Sequence, residues 1–282
     1  MESKILIVDG SNLLFQMFFG MPARIYNNDG IGIWGVLGFI GALLKIIRQI
    51  APTHMVVLFD GENDNERLAI DKNYKSNRPD YSQFPAEENP YSQLPYIQRA
   101  LRHMGIPYAE TTDCEVDDWV AGYVYRYREH HKLVISSFDS DFFQLIHENV
   151  SVLRYRGKNS YFCDVSYLRE RFGICPEQYA AFKSLLGDTA DNIKGVDGVG
   201  PKRAAALLHM FGSLEGILTN VEKINSPSVK SVIQENRERL RRNYRLIKLE
   251  GGAALPFPLE EMAVSEIEMT TMEVMRGIGL SR

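Results

Sequence analysis

Nine acidic side chains fall in five short groups along the 282-residue chain: Asp9; Asp60; Glu115, Asp117 and Asp118; Asp139 and Asp141; Asp188 and Asp191. Each group stands where an apolar run has just ended or a helical pattern is about to begin. Brought together, these carboxylates would repel one another at neutral pH, and burying them unpaired would be costly. Hard cations, which take oxygen ligands, resolve both problems. The residue types predict a metal site, provided that the fold gathers them.

The elements between the acids suggest that it does. Lys4 to Val8 (KILIV) reads as a buried strand ending at Asp9, Gly35 to Ile50 as an apolar helix, and Met55 to Phe59 (MVVLF) as a strand ending at Asp60. Such alternation predicts a parallel sheet. A helix over residues 91–104, a short strand over 106–109, a helix over 117–129 and a strand over 133–136 continue it toward about residue 165. In open α/β sheets ligands bind outside the carboxyl ends of the strands, which is where Asp9, Asp60, Glu115 and Asp139 fall. Any one Asp could be a helix cap. Four strand ends in a row, with three acids among residues 115–118, exceed what capping explains.

Residues 71–95 differ in character, being rich in Asn, Ser, Pro and Tyr and interleaving Tyr74, Lys75, Arg78, Tyr81 and Phe84. That composition suits stacking on bases and contact with phosphates, and it equally suits a surface loop. From Pro176 the pattern becomes mainly helical. A helix to about Leu186 leads into Gly187-Asp188-Thr189-Ala190-Asp191-Asn192, where a helical backbone would put Asp188 and Asp191 on one face. The glycine-rich turn from Gly195 through Gly198 to Gly200 then opens a helix with Lys202 and Arg203, a place where backbone N–H groups can meet phosphate.

Bulk properties are permissive. The chain is 45% hydrophobic and 24% charged, as a globular protein of one large or two modest domains would be. No run approaches the roughly 20 apolar residues of a membrane span, and the amino terminus enters a strand pattern without a signal peptide, so a cytoplasmic address is expected. Cys114, Cys163 and Cys175 show no zinc or disulfide spacing and are expected to be buried thiols. The net charge of −4 becomes +5 when the nine clustered acids are set aside, leaving 27 Asp and Glu against 32 Lys and Arg. A molecule whose acids are neutralised by metal is thus mildly basic, which suits nucleic acid.

In order and spacing, Asp9-Gly10-Ser11-Asn12, Phe59-Asp60, Tyr74-Lys75-Ser76-Asn77-Arg78, Glu115-Val116-Asp117-Asp118, Asp139-Ser140-Asp141, Gly187 through Asn192 and Gly195 through Lys202 resemble the flap endonuclease family. The likeness is to the stand-alone bacterial and phage 5′-3′ exonucleases and to the 5′-nuclease domain of bacterial DNA polymerase I. It implies an α/β fold: a resolvase-like (PIN-like) domain with a central, mainly parallel sheet over 1–175, carrying an arch segment at about 71–95. A mainly α, helix-3-turn-helix (helix-hairpin-helix) DNA-binding region with the C-terminal helices would occupy 176–282.

It further implies a metal-dependent 5′ nuclease that cuts DNA at 5′ ends, nicks and flap junctions in primer removal or repair, using two or more Mg²⁺ or Mn²⁺ ions. Glu115, Asp117, Asp118 and Asp139 would centre on one ion, supported by Asp9 and Asp60, and Asp141, Asp188 and Asp191 on another. Asp117 and Asp139 would act in catalysis with Lys75 and Arg78, which would oppose charge on the reacting phosphate. Tyr74, Lys75, Arg78, Gly195, Gly198, Gly200, Lys202 and Arg203 would contact DNA, and the hairpin carbonyls could take K⁺ as in some relatives. A monomer, free-standing and away from membranes, is expected.

The chain departs from the family pattern in three places. Gln16 stands where some relatives have arginine, Arg203 where threonine is often found, and Pro79, Pro85 and Pro90 interrupt regular helix in the arch. The run from Val229 to Leu249 reads as a basic helix bearing Arg237, Arg239, Arg241, Arg242 and Arg245. Interleaved glutamates favour a solvated face over a DNA track. Two other functions share the fold: a catalytically silent branched-DNA-binding protein and an RNA-directed nuclease of the PIN class.

Overall fold

A computed structural model describes residues 3–61 and 66–280. Positions 1–2, 62–65 and 281–282 of the ranges given above lie outside the described residues. Among those described, no helix is long and apolar enough to cross a membrane.

The first half alternates as expected: β1 (Lys4–Asp9), α1 (Gly10–Gly20), α2 (Trp34–Ile50), β2 (His54–Phe59), α3 (Glu66–Ile70), α4 (Leu94–His103), β3 (Tyr108–Glu110), α5 (Val116–Tyr127) and β4 (Lys132–Ser136). Two further strands, β5 (Val150–Arg154) and β6 (Tyr161–Cys163), complete a six-stranded sheet of order β3-β2-β1-β4-β5-β6. All pairings are parallel except β5 with β6. The sheet is buried on both faces, and alternate residues serve different cores. Ile5, Ile7, Val56 and Leu58 pack with α5 and the helical region, whereas Leu6, Val8, Met55 and Val57 pack with α1, α2 and α4. That two-sided burial is why the strands read as unbroken apolar runs.

The second half contains α6 (Val165–Phe172), α7 (Tyr179–Leu186), the two-residue strands β7 (Gly187–Asp188) and β8 (Ile193–Lys194), α8 (Pro201–Phe211), α9 (Leu214–Thr219), α10 (Pro227–Glu235), α11 (Arg237–Ile247) and α12 (Thr271–Gly277). Two expectations are corrected here. Asp188 and Asp191 lie on an antiparallel β7–β8 turn, not on a helix. The basic run is two helices, because α10 ends at Glu235 and α11 starts at Arg237, with Asn236 between them. Gly187 and Gly195 explain the turn: a Cβ on Gly187 would lie 2.3 Å from the Gly195 nitrogen, and one on Gly195 would lie 2.2 Å from the Leu186 carbonyl.

The cysteines also differ from expectation. Cys163 is buried, Cys114 is partly buried and Cys175 is exposed, with no disulfide among them.

Candidate metal centre and its cationic cover

The parallel strands carry their acids to one edge. Asp9 ends β1 and caps α1, one carboxylate oxygen accepting from the Asn12 N–H at 2.9 Å and the other from the Ser137 hydroxyl at 2.8 Å. Asp60, just past β2, accepts from the Val116 N–H at 3.0 Å and so fixes the start of α5. Asp139 follows β4 and accepts from the Asp141 N–H at 2.8 Å. Capping is therefore real here, but it occupies only part of each carboxylate.

The charges of Asp9, Asp60, Glu115, Asp117 and Asp139 act on one another. Burial, then the Asp60 and Asp139 charges, pushes the Asp9 carboxyl up to about 7. Burial together with Asp139 and Glu115 holds Asp117 well above the carboxylate range. Asp60 is raised by burial, with Glu115 adding to it. A second group adjoins the first: Asp141, Asp188 and Asp191 each offer an oxygen within 4.8 Å of the others. Burial, opposed by Lys183 and aided by Asp139, raises Asp141 to about 7. An all-carboxylate donor set with this mutual repulsion fits hard divalent ions.

A layer of cations covers the acids. Lys75 donates to Glu115 at 2.5 Å and Arg78 to Asp191 at 2.6 Å. Burial opposes the Lys75 charge, yet Glu115 and Asp117 outweigh it and keep its pKa above the usual lysine value. Lys75 has φ +55°, a left-handed conformation that costs a non-glycine residue roughly 1 kcal/mol. The strain is held by contacts between the two turns: the Lys75 N–H donates to the Asp191 carbonyl (3.0 Å), Asn77 Nδ2 to the Thr189 carbonyl (2.8 Å) and Asn192 Nδ2 to the Asn73 carbonyl (2.9 Å). Residues 72–78 are thereby clamped onto the acidic turn.

Other predicted residues fall elsewhere. Tyr74 is 5% exposed, and its hydroxyl donates to Glu115 (3.2 Å) and reaches Asp191 (3.5 Å). No ring face is left for a base, so its place is as a strut between the two acid groups. Asp118 is engaged by Arg67, from which both its oxygens accept at 2.9 Å, and it also accepts from the Glu115 N–H at 3.3 Å. Gly198, with φ +78°, and Gly200 have nothing within 4 Å of an added Cβ, leaving room for an outside ligand. Gly195, in contrast, is required by chain packing. The Gly198 carbonyl, one of those considered for K⁺, accepts from Arg203 at 2.6 Å, and Lys202 stands exposed at the start of α8. Three of the five α11 arginines engage the protein itself: Arg239 donates to the Gly195 carbonyl at 3.3 Å, Arg241 pairs with Glu215 and Glu238, and Arg242 pairs with Asp71.

Sequence reasoning missed two cations. Lys183, on α7, is buried and donates to both Asp141 and Asp188. Its one signal is a lysine in the apolar stretch YAAFKSLL. Arg67 is 8% exposed, meets Glu115 at 3.1 Å and donates from Nε to the Leu246 carbonyl at 3.1 Å. No local pattern marks it.

A stability prediction follows from the raised acids. Asp9 binds its proton more tightly folded than unfolded, so between its unfolded value of 3.8 and about 7 the folded state holds more protons. Stability then falls as pH rises through that window and stays low above it. Divalent ions favour the ionised form and offset the loss. Thermal melts in chelator should show a lower Tm at about pH 8 than at about pH 5, with Mg²⁺ raising the former more than the latter. A Tm indifferent to both pH and Mg²⁺ would show that the acids do not converge.

A parallel sheet thus gathers carboxylates under lysine and arginine with a glycine hairpin alongside, and similarity to known proteins places that arrangement among the nucleases. The N-terminal resolvase-like domain of the 5′-3′ exonucleases matches residues 4–173, and their C-terminal SAM fold matches 174–270. The chain belongs to the 5′-3′ exonuclease family. It is 30% identical to the 5′-3′ exonuclease of Aquifex aeolicus, covering 95% of this chain and 89% of that protein. It is 32% identical to DNA polymerase I of Bacillus caldotenax over 93% of this chain, but spans only 30% of the polymerase. In fold it resembles T5 5′-exonuclease bound to divalent metal ions (zinc), with a TM-score of 0.70 at 23% identity, covering 86% of this chain and 89% of that one. The catalytic core of Rad2 in complex with DNA substrate gives 0.60 at 16% identity, covering 98% of this chain and 88% of that one.

Proposed function

We propose that this protein is a divalent-metal-dependent, structure-specific 5′ nuclease that hydrolyses DNA phosphodiesters at 5′ ends and flap junctions. The observation that carries the reading is the convergence of buried acids under Lys75 and Arg78. Asp9, Asp60, Glu115, Asp117 and Asp139 would hold one ion, and Asp141, Asp188 and Asp191 another, with Mg²⁺ or Mn²⁺ favoured by the hard donor set. Such ions, when bound, supply an activated water and offset charge on the attacking and leaving oxygens. We assign Asp118 to orienting Glu115 with Arg67 rather than to direct ligation. We divide the chain into nuclease domain and hairpin region at about residue 175.

The chain's own residues do the rest. Lys75 and Arg78, which lie on Glu115 and Asp191 at the site's surface, would donate to a phosphate over it, where their charge would oppose that of the transition state. Lys183 stays as fixed counter-charge to Asp141 and Asp188. A cleft of about 820 Å³ lined by Phe15, Tyr81 and Tyr91 opens beside Asp60 and Arg78 and would take the bases of a 5′ single strand. The open backbone at Gly198 and Gly200, with Lys202, would hold a duplex phosphate. We take the working unit as a cytoplasmic monomer, in keeping with cysteines none of which forms a disulfide.

The assay is cleavage of labelled DNA and RNA flaps, together with DNA binding in Ca²⁺. DNA flaps should be cut in Mg²⁺ well before RNA flaps. Tight binding without products in Mg²⁺ would mark a silent DNA-binding protein, and preference for the RNA flap would mark an RNA-directed nuclease; either overturns the reading.

A further inference from the structure

We propose that Arg154 and Arg156, on the hairpin that closes the far edge of the sheet, form a second phosphate-binding surface gripping duplex DNA on the side of the acids opposite the aromatic cleft. The inference rests on the reading of the protein as a DNA nuclease.

Sheet order fixes the location. β5 is the neighbour of β4, whose end leads through Phe138 to Asp139, and β5 pairs with β6 through Arg154 and Tyr161. Adjacent strands lie roughly 5 Å apart, so the end of β5 is within a nucleotide or two of the acids. The aromatic cleft, beside Glu110 of β3, lies toward the other edge.

Two guanidiniums meet one ring there. Arg154 lies 5.6 Å from the centre of Phe138 and 4.7 Å from that of Phe143, and Arg156 lies 4.9 Å from Phe138. Neither has an ion pair among the described residues, and since Arg154 Nε is buried, its terminal nitrogens and the guanidinium of exposed Arg156 are the groups that can meet a phosphate. On α11, Arg241 and Arg242 instead have carboxylates. Cation–π contact orients a guanidinium but is worth only about 0.5–2 kcal/mol. It leaves the N–H fork unsatisfied, and that fork matches a phosphate.

The hairpin is also registered to the acid cluster. Gln16 Nε2 donates to the carbonyl of Tyr155, the residue between the two arginines, at 2.7 Å. Gln16 belongs to α1, which starts directly after Asp9 and contains no Lys or Arg. Thus α1 supplies the tether and the hairpin supplies the charge. Lys158, exposed at the hairpin tip, continues the track outward.

The test is binding of fluorescein-labelled DNA, flap and plain duplex, in Ca²⁺ over a series of KCl concentrations. Arg156→Gln, at an exposed position, should weaken both by roughly threefold to tenfold and reduce the salt slope by about one. Arg156→Lys should keep the slope, and Arg154→Gln with Arg156→Gln should lose about two from it. An unchanged affinity and slope for Arg156→Gln, in a protein whose wild type still cuts flaps, would overturn this inference and leave the nuclease reading intact. A wild type that neither binds nor cuts DNA would overturn both. Should the double variant melt early, Arg156→Gln decides alone.

Discussion

Asp117→Asn is expected to abolish flap cleavage, lowering the single-turnover rate by on the order of a thousandfold, about 4 kcal/mol of transition-state stabilisation. Asp117 sits on the first turn of α5, where burial and the charges of Asp139 and Glu115 raise its pKa well above the carboxylate range. Only a cation makes its ionised form comfortable there, so the amide removes a ligand charge while keeping the shape. The metal-free fold should tolerate the change, because asparagine relieves a repulsion. Melts in chelator should therefore give an unchanged or higher Tm, while DNA affinity in Ca²⁺ falls much less than the rate. Undiminished cleavage would remove Asp117 from the chemistry.

Lys75→Ala is expected to cost about 10²–10³ in the same rate, the scale for losing one charge aimed at a developing anion. Its backbone argues that the side chain is kept for function: φ +55° is better suited to glycine, yet lysine occupies it. Lys75→Gly should relax that strain and lose as much rate as alanine, which separates the ammonium from the turn. Because Lys75 pairs with Glu115 in the absence of metal, both variants should bind divalent ions at least as well as wild type. Isothermal titration with Mn²⁺ checks this. A rate loss that excess metal restores would assign Lys75 to metal loading instead of to the reacting phosphate.

Much of the fold and of the site is legible in the residues, for definable reasons. Strands buried on both faces read as apolar runs, so β1, β2 and β4, and the acids at their ends, stand out in the sequence alone. The hairpin β5–β6 does not, because it lies at the edge with Tyr161 and Phe162 exposed and carries a weaker apolar signal. Asp188 and Asp191 converge as expected, but by a β-turn that Gly187 and Gly195 allow through backbone contact, something spacing cannot report. Tyr74 reads as a stacking residue because composition shows that a ring is present but not whether it is covered. Lys183 and Arg67 act through contacts 42 and 51 residues away, to Asp141 and Asp118, and no local pattern encodes those.

The departure at Gln16 shows the same limit from the other side. Read alone, it is a missing cation. In the fold, its amide holds the backbone between Arg154 and Arg156, and the charge stands at the end of β5, two strands along the sheet from β1.

Whether the converged acids form a divalent-metal centre for phosphodiester hydrolysis is decided by single-turnover cleavage of a 5′-labelled DNA flap by wild type and Asp117→Asn, with Mg²⁺ and with chelator. Wild type should give short labelled products in Mg²⁺ alone, and Asp117→Asn almost none in either condition. Products from wild type in chelator, equal products from Asp117→Asn, or none from wild type in Mg²⁺ would contradict a metal centre built on these acids.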